Sequence, residues 1–276
     1  MKSAAITKQN NQVLPPGSRL WTPSNFRHVI TWLSPRRNYS KTAGDGLAQW
    51  NDAFGNTTFA QGASNRQPTL TQAKADFNNL IVPDFDGGDD LMADLTPTDL
   101  LDVGTGDFFI MAAIKTGVVG ASSIVNLQQE NSNEQINFGI ISGRSGAKLD
   151  IAVTSLSNKS GDTTLTNNTK YLVYCERLNN TLNVYLDGTI DHSTIGTSNS
   201  ISIDNNAASI LGSSDASTPA NTFDGKIAEV VFGGSTDTNI IGTEDRQRLE
   251  GYMAHNCGIA DNLPSDHPYK NGPPRL

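Results

Sequence analysis

Four aspartates crowd a short segment in the first third of the chain, around a Gly-Gly pair. They are Asp84, Asp86, Asp89 and Asp90. Carboxylate oxygens at such close spacing are the hard ligands that Ca²⁺ prefers, although the segment lacks the spaced acids and final glutamate of an EF-hand loop. A second interpretation needs no metal, because Asp side chains accept hydrogen bonds from the backbone of their own turns. The segment therefore indicates either a Ca²⁺ site or a self-bonded turn at a strand corner.

A second group combines aromatic rings with an amide and a carboxylate. Segments 170–178 and 181–187 are joined by Asn179-Asn180, and Asn tolerates the positive φ of a two-residue type I′ hairpin turn. This turn predicts a register with Val173 opposite Leu186, and it gathers one face of polar and aromatic side chains. They are Tyr174, Glu176, Asn183 and Tyr185. Such a face predicts glycan binding where it is open to solvent. Otherwise it is a cross-strand tyrosine pair that stabilises the sheet.

The glutamates and histidines give little support to catalysis. Glycoside hydrolysis needs two carboxyl groups about 5 Å apart for retention, or roughly 6.5–9.5 Å apart for inversion. Glu130 and Glu134 are separated by three polar residues and are predicted to lie in a loop. We expect Glu229 to be structural at the sandwich edge and His267 to fix the tail. None of the four histidines belongs to a nucleophile motif, so we predict no catalytic residues and no enzyme activity.

Charge and hydropathy restrict the partners. A net charge of −8 and a pI near 4.9 argue against nucleic acid, because phosphate binding needs a basic surface. The sequence has no apolar run near the ~20 residues that span a bilayer, and its first residues lack the apolar region of a signal peptide. We therefore expect synthesis in the cytoplasm, with Cys175 and Cys257 as buried free thiols. Ca²⁺ is the only cofactor that the residues indicate.

The aspartate cluster and the polar face of the hairpin must be positioned by short strands. Only six of the 28 acidic residues are Glu, and the excess of Asp favours turns over helix. Segment 107–114 is nearly continuously apolar, which is typical of a strand covered on both faces. Segments 123–127, 135–141 and 148–153 follow at the spacing of a sandwich, with Gly, Ser and Asn turns between them. The pattern predicts an all-β, two-sheet antiparallel sandwich.

The hydrophobic period changes near the C terminus. Thr243 is predicted to be the N-cap of a helix with Leu249, Met253 and Cys257 on its apolar face, and Gly258 is predicted to end that helix. The Pro-rich residues 261–276 are expected to lie over the sandwich as an extended strap. These patterns divide the chain into an N-terminal arm (1–18), a sandwich (19–242), and a helix with its tail (243–276).

Several short phrases, taken in order, carry a family resemblance. They are Trp32-Leu33, Gln49-Trp50-Asn51-Asp52, Asn65-Arg66-Gln67-Pro68, Phe85-Asp86-Gly87, Tyr185-Leu186-Asp187-Gly188, Gly225-Lys226-Ile227-Ala228-Glu229-Val230 and Leu263-Pro264-Ser265-Asp266-His267-Pro268-Tyr269. In this order they resemble laminin-G-like, concanavalin A-like lectin/glucanase domains, of the kind found in marine bacteriophage virion proteins and in large surface proteins of marine bacteria. The resemblance covers roughly residues 20–274. It implies a jelly roll of two curved antiparallel sheets with a packed helix. The chain has Ser34-Pro35 where such domains commonly carry acids, which argues against a metal or acid role there.

The resemblance implies a function only as an expectation, because this fold carries lectins, glycosidases and inert structural pieces. The leading hypothesis is a non-enzymatic structural protein on the outside of a phage virion, as a capsid decoration, head-fibre or tail-associated subunit. Its partners would be other virion proteins and further copies of itself, attached through the N-terminal arm. The alternative is a carbohydrate-binding adhesion module that contacts a host surface polysaccharide. A glycoside hydrolase is the third hypothesis.

Overall fold

The computed structural model describes residues 19–36, 39–41, 44–73, 76–94, 101–129, 135–143, 146–153, 159–195, 200–203 and 207–276. The fold is a two-sheet antiparallel jelly roll with one C-terminal α-helix and a tail, as the sequence predicts. The predicted N-terminal arm, residues 1–18, and the Glu130–Glu134 pair lie outside the described residues.

The strands of the described part of the chain are short and numerous, as the abundance of turn residues predicts. They are β1 (Val29–Leu33), β2 (Tyr39–Lys41), β3 (Leu47–Asn51), β4 (Thr58–Ala60), β5 (Thr69–Ala73), β6 (Leu80–Asp86), β7 (Met92–Asp94), β8 (Leu101–Gly104), β9 (Phe108–Thr116), β10 (Ser122–Gln129), β11 (Gln135–Gly143), β12 (Gly146–Val153), β13 (Lys159–Ser160), β14 (Lys170–Leu178), β15 (Thr181–Leu186), β16 (Thr189–Ile195), β17 (Ile201–Ile203), β18 (Ala207–Leu211) and β19 (Asp224–Gly234). The helix α1 spans Thr243–Asn256, and short 3₁₀ turns lie at Pro23–Asn25, Ser64–Arg66 and Ala260–Asn262.

Two large sheets face each other. The first has the order β16-β15-β14-β9-β19-β6-β5, with β1 also paired to β19; we call it the helix-side sheet. The second has the order β13-β12-β11-β10-β18-β7-β4-β3-β2; we call it the open sheet. Strands β8 and β17 form a separate two-stranded sheet.

Two apolar layers hold the structure together. The larger core fills the space between the two sheets, and a second core lies between the helix-side sheet and α1. Strand β9 contributes to both, because Phe108 and Ile110 face the first core while Phe109 and Met111 face the second. This position explains why β9 is continuously apolar rather than alternating.

The helix begins one residue earlier than predicted, at the residue that was expected to be its cap. Gly242 is the N-cap and Thr243 is the first helical residue, so the assignment of Thr243 as the cap was wrong by one position. Glu244 and Asp245 lie in the first turn, where the positive end of the helix dipole stabilises negative charge. Gly258 follows the end of the helix with a φ of +67°, which is the left-handed conformation expected of a residue just past a helix.

The tail folds back on the helix through a series of turns. Lys270 Nζ donates hydrogen bonds to backbone carbonyls of residues 260, 261 and 263 at 2.7–3.2 Å. His255 contacts the carbonyl oxygen of Tyr269 at 2.8 Å. The tail ends beside the start of the sandwich, where Leu20 and Arg275 form an antiparallel bridge. Among the described residues, the helical segments are too short and too polar to cross a bilayer.

Candidate functional site

The structure brings together the four side chains predicted to bind a glycan. The hairpin register is confirmed, with Val173 opposite Leu186 and Tyr174 opposite Tyr185, and both turn asparagines have positive φ. Three donors converge on the carboxylate of Glu176. They are the Tyr174 hydroxyl at 2.7 Å, the Asn183 amide at 3.0 Å and the Tyr185 hydroxyl at 3.3 Å.

The helix covers this cluster, a placement that the hairpin sequence does not reveal. The guanidinium of Arg246 lies over the Tyr185 ring, 4.2 Å from its centre, and it also donates to Glu250 at 2.6 Å. Tyr174 is 1 % exposed and Glu176 is 2 % exposed. Burial raises the pKa of Glu176 and raises that of Tyr185 to about 12. Of the four residues only Tyr185 is partly exposed, so the cluster anchors the helix and offers little surface for a sugar to stack on.

A second buried glutamate anchors the same helix. Glu229 on β19 is fully buried, and each of its oxygens accepts one short hydrogen bond. Trp32 Nε1 donates to Oε1 at 2.6 Å, and Asn256 Nδ2 donates to Oε2 at 2.7 Å. Tyr252 and Cys257 add longer contacts at 3.3 and 3.4 Å. Burial raises the pKa of Glu229, yet its surroundings are internal donors rather than a substrate cleft.

The third buried glutamate holds the tail. Glu250 Oε2 lies 3.1 Å from Nε2 of His267, and both side chains are buried. This contact agrees with the prediction that His267 fixes the tail. Glu176, Glu229 and Glu250 thus all lie between the helix-side sheet, the helix and the tail. Each is surrounded by the protein's own donors, which is a structural arrangement.

The aspartate cluster is partly assembled. Carboxylate oxygens of Asp86, Asp89 and Asp90 lie within 4.8 Å of one another, whereas Asp84 forms an ion pair with Lys226 at 2.9 Å. Asp90 accepts from the backbone N–H of Asp86 at 3.0 Å. Burial, followed by the charges of the neighbouring aspartates, raises the pKa of Asp90 to about 6. The group combines a self-bonded turn with three oxygens close enough to share a divalent cation.

A polar depression of about 530 Å³ lies near the start of β14. It contains two acids, and both have internal partners. Asp76 pairs with Lys115 at 2.9 Å, while Asp187 accepts from the backbone N–H of Leu172 at 2.7 Å. Burial raises the pKa of Asp187 to about 6. The hydrogen bond to Asp187 ties the turn after β15 to β14.

A different pocket lies on the outer face of the open sheet, on which none of the described helical segments packs. It has a volume of about 240 Å³ and is lined by residues of β10, β11, β12 and the 212–223 loop. Its floor is at Gly139, where an added Cβ would lie 2.1 Å from the carbonyl oxygen of Ser122. A bulge in β10 between Ser123 and Val125 accompanies this close approach. Since no side chain fits at Gly139, a hole remains in the row of outward side chains.

Hydrogen-bonding groups surround this hole. Asp150 lies opposite Gly139 on β12, is 7 % exposed, and accepts from the Ser160 hydroxyl at 3.0 Å. Burial raises its pKa. Asn137 accepts from Ser123 Oγ at 2.8 Å, which leaves its N–H groups for the pocket. The sequence analysis missed this site. The available signal was the alternation of Asn137 and Gly139 with the core residues of β11.

A second depression, of about 520 Å³, lies on the same outer face near β4 and β7. The 212–223 loop separates the two, since Asn221 lines the first pocket and Ala216 lines the second. Ala216 packs against a small apolar cluster that includes Ala93 and Ile210. The loop therefore shapes both depressions and leaves polar surface on either side of itself.

No protein-family model matches the chain, and no curated protein matches it. Solved structures do. Domain 4 of an extracellular arabinanase from Geobacillus stearothermophilus, in complex with arabinotriose, has a TM-score of 0.53 at 14 % identity over 81 % of this chain and 98 % of that one. Trypanosoma rangeli sialidase in complex with sialic acid has a TM-score of 0.53 at 12 % identity, over 83 % of this chain and 33 % of the sialidase.

A heptameric pentraxin from Limulus polyphemus is more distant, with a TM-score of 0.46 at 13 % identity over 64 % of this chain and 82 % of the pentraxin. The first two similarities show the fold, which is a two-sheet jelly-roll sandwich. At these identities they define the class of fold and leave the chemistry to be argued from the site.

Proposed function

We propose that the protein is a non-enzymatic carbohydrate-binding module that recognises glycans through the outer face of the open sheet. One observation carries the proposal: the helix and tail cover the outer face of one sheet, while the other sheet presents a pocket lined by carboxylate, amide and hydroxyl groups. Sugar hydroxyls both donate and accept hydrogen bonds, so a mixed polar lining suits them. Two of the structural neighbours carry sugars, arabinotriose and sialic acid, which supports the choice of ligand class.

The non-enzymatic part rests on the glutamates. Glu176, Glu229 and Glu250 are enclosed by donors of the protein itself. A glycosidase needs two carboxyl groups that flank an accessible bond, and these three are buried between the helix-side sheet, the helix and the tail instead. Incubation with the bound glycan should therefore release no reducing sugar.

A glycan-array screen followed by titration calorimetry tests the proposal. Asn137→Arg places a long charged side chain at the pocket on the open sheet, and we expect it to abolish binding. Ser265→Arg is the matched control, because it adds the same charge at an exposed position of the tail, and we expect it to bind as the wild type does. Equal binding by both variants, or no glycan bound by the wild type, would contradict the proposal.

A virion-surface role is the second proposal, and it rests on the resemblance to marine phage virion proteins. The contact between Leu20 and Arg275 places the beginning of the sandwich beside the end of the tail, so that one attachment point would leave the open sheet exposed. On this proposal the subunit is displayed on the particle with other virion proteins and copies of itself, and binds host polysaccharide. Removing residues 1–18 should abolish incorporation into particles while leaving glycan binding intact; unchanged incorporation would refute the attachment.

A further inference from the structure

The pocket on the open sheet is a built feature. Gly139 cannot carry a side chain, because the Ser122 carbonyl occupies the space of a Cβ. Its neighbours across the strands are Ser123 on one side and Asp150 on the other. The missing side chain and its flanking polar residues produce a cavity of about 240 Å³, which suits one sugar ring rather than a longer oligosaccharide.

The lining has a definite pattern of donors and acceptors. Asp150 is an acceptor with one oxygen bonded to Ser160, so its second oxygen remains for a ligand. Asn221 donates its amide N–H to Ser214 at 3.0 Å and keeps its oxygen as an acceptor. Asn137 keeps its N–H groups as donors. The lining thus offers acceptors on Asp150 and Asn221 and donors on Asn137, which suits a ligand whose hydroxyl groups both donate and accept hydrogen bonds.

The charge of the pocket selects among sugars. Of the described residues that line it, one is a carboxylate and none is a lysine or arginine, and the whole chain carries a net charge of −8. A sugar carboxylate in this pocket would lie against Asp150, where like charges at short distance repel. A neutral ring meets no such penalty.

Resting on the proposed function, we propose that the Gly139 pocket binds one neutral, hydroxyl-rich sugar residue. The Asp150 carboxylate accepts a hydrogen bond from a hydroxyl group of that sugar, and the same carboxylate excludes acidic sugars. Asn137 donates to a ring or hydroxyl oxygen from the adjacent wall. The pocket is therefore both the binding site and the element that sets specificity.

Three variants test this assignment. Asp150→Asn keeps the size of the side chain and removes its charge. Ala152→Phe, at a lining position opposite Asn137, fills the cavity. Gln49→Ala is the control, since Gln49 lies on β3 of the same sheet and outside the pocket lining. Thermal unfolding establishes that each variant is folded; should Ala152→Phe fail to fold, the isosteric Asp150→Asn decides.

The probes are a neutral panel (arabinotriose, lactose, cellotriose) and an acidic panel (N-acetylneuraminic acid, trigalacturonic acid), titrated by calorimetry. We expect the wild type to bind at least one neutral probe and no acidic probe. Asp150→Asn should weaken the neutral complex about ten- to a hundredfold, the range for losing a charged hydrogen bond. Ala152→Phe should abolish it, and Gln49→Ala should leave it unchanged.

Two results would overturn the assignment while leaving the proposed function in place. One is neutral binding that survives both Asp150→Asn and Ala152→Phe, which would move the site elsewhere on the protein. The other is tighter binding of acidic than of neutral probes. The absence of any binding to either panel and to the array would instead contradict the proposed function itself.

Discussion

Replacing Glu229 with glutamine tests whether the buried glutamates hold the helix or perform chemistry. The two shortest hydrogen bonds to Glu229 end on different oxygens, Oε1 for Trp32 and Oε2 for Asn256. In Glu229→Gln one of these oxygens becomes an NH₂ group. Whichever orientation the amide adopts, one strong donor then faces another donor and loses its partner.

The expected cost follows from that geometry. A hydrogen bond to a charged group contributes about 1.5–3 kcal/mol, and a buried donor without a partner adds its desolvation cost. Removing the buried charge offsets part of this loss, because burial already raises the pKa of Glu229 and so disfavours the ionised form. We expect a net loss of about 2 kcal/mol in the free energy of unfolding.

Urea denaturation followed by tryptophan fluorescence and circular dichroism measures this loss. Glu244→Gln is the matched control, since Glu244 is exposed in the first turn of α1 and pairs only with Arg248; its replacement should cost below about 1 kcal/mol. A Glu229→Gln protein as stable as the wild type would refute the anchoring argument. Unchanged stability with loss of a sugar-release activity would assign Glu229 to catalysis.

Three further perturbations follow from the same structure. Gly251→Ala should destabilise the protein and expose the tail to proteolysis despite the better helix propensity of Ala, because the new Cβ would lie 2.4 Å from that of Tyr269. Wild-type stability should fall as pH rises from about 4 to about 6, because burial raises the pKa of Asp90 to about 6 and the folded state favours its protonated form. Asp90→Asn should remove the Asp90 part of this fall, up to ~3 kcal/mol, and leave the part that comes from Asp187, whose pKa is also raised to about 6. A Ca²⁺-dependent rise in Tm above pH 6 in the wild type alone would select the metal interpretation of the aspartate cluster over the turn. Cys175 and Cys257 should resist a thiol reagent in the native protein and react fully in urea, because both are buried free thiols whose pKa values are raised by burial; rapid reaction in the native state would contradict their burial.

The hairpin was predictable because its determinants are local. Asn179 and Asn180 adopt the positive φ that the type I′ turn requires, and a two-residue turn leaves one register for the strands that it joins. Cys175 and Cys257 were expected to be buried free thiols, and both are buried and free. In the hairpin, a few adjacent residues decided the outcome.

The docking of α1 over the β14–β15 hairpin was not predictable in the same way. Tyr174 and Glu176 are separated from Arg246 by about 70 residues in the sequence, and the stacking of Arg246 on Tyr185 depends on how the helix docks. A face that combines tyrosines, an amide and a carboxylate has the composition of a sugar-binding surface and also that of a satisfied buried network. Sequence alternation identifies such a face, but it does not identify what lies on top of it.

The pocket on the open sheet shows the complementary difficulty. Alternation along β11 places Asn137, Gly139 and Ile141 on the outer face, opposite the core residues Ile136 and Phe138. A glycine at such a position usually signals a weak strand, a bulge or a close backbone approach, and only the course of β10 shows that the last applies. The depth of the pocket therefore arises from a contact between strands rather than from the pattern within one strand.

The positions of the buried glutamates and of the pocket explain why we place the proposed binding on one outer face rather than the other. The helix side carries three buried glutamates with their donors supplied by sheet, helix and tail, and each such network is costly to disturb because every buried partner would lose a bond. A ligand could bind under the helix only if these hydrogen-bond networks were broken. The open sheet requires no such disruption, because the lining of its pocket already combines satisfied contacts within the wall with free donors and acceptors toward solvent. Binding there uses groups that the fold has left uncommitted, which is why we assign recognition to that face.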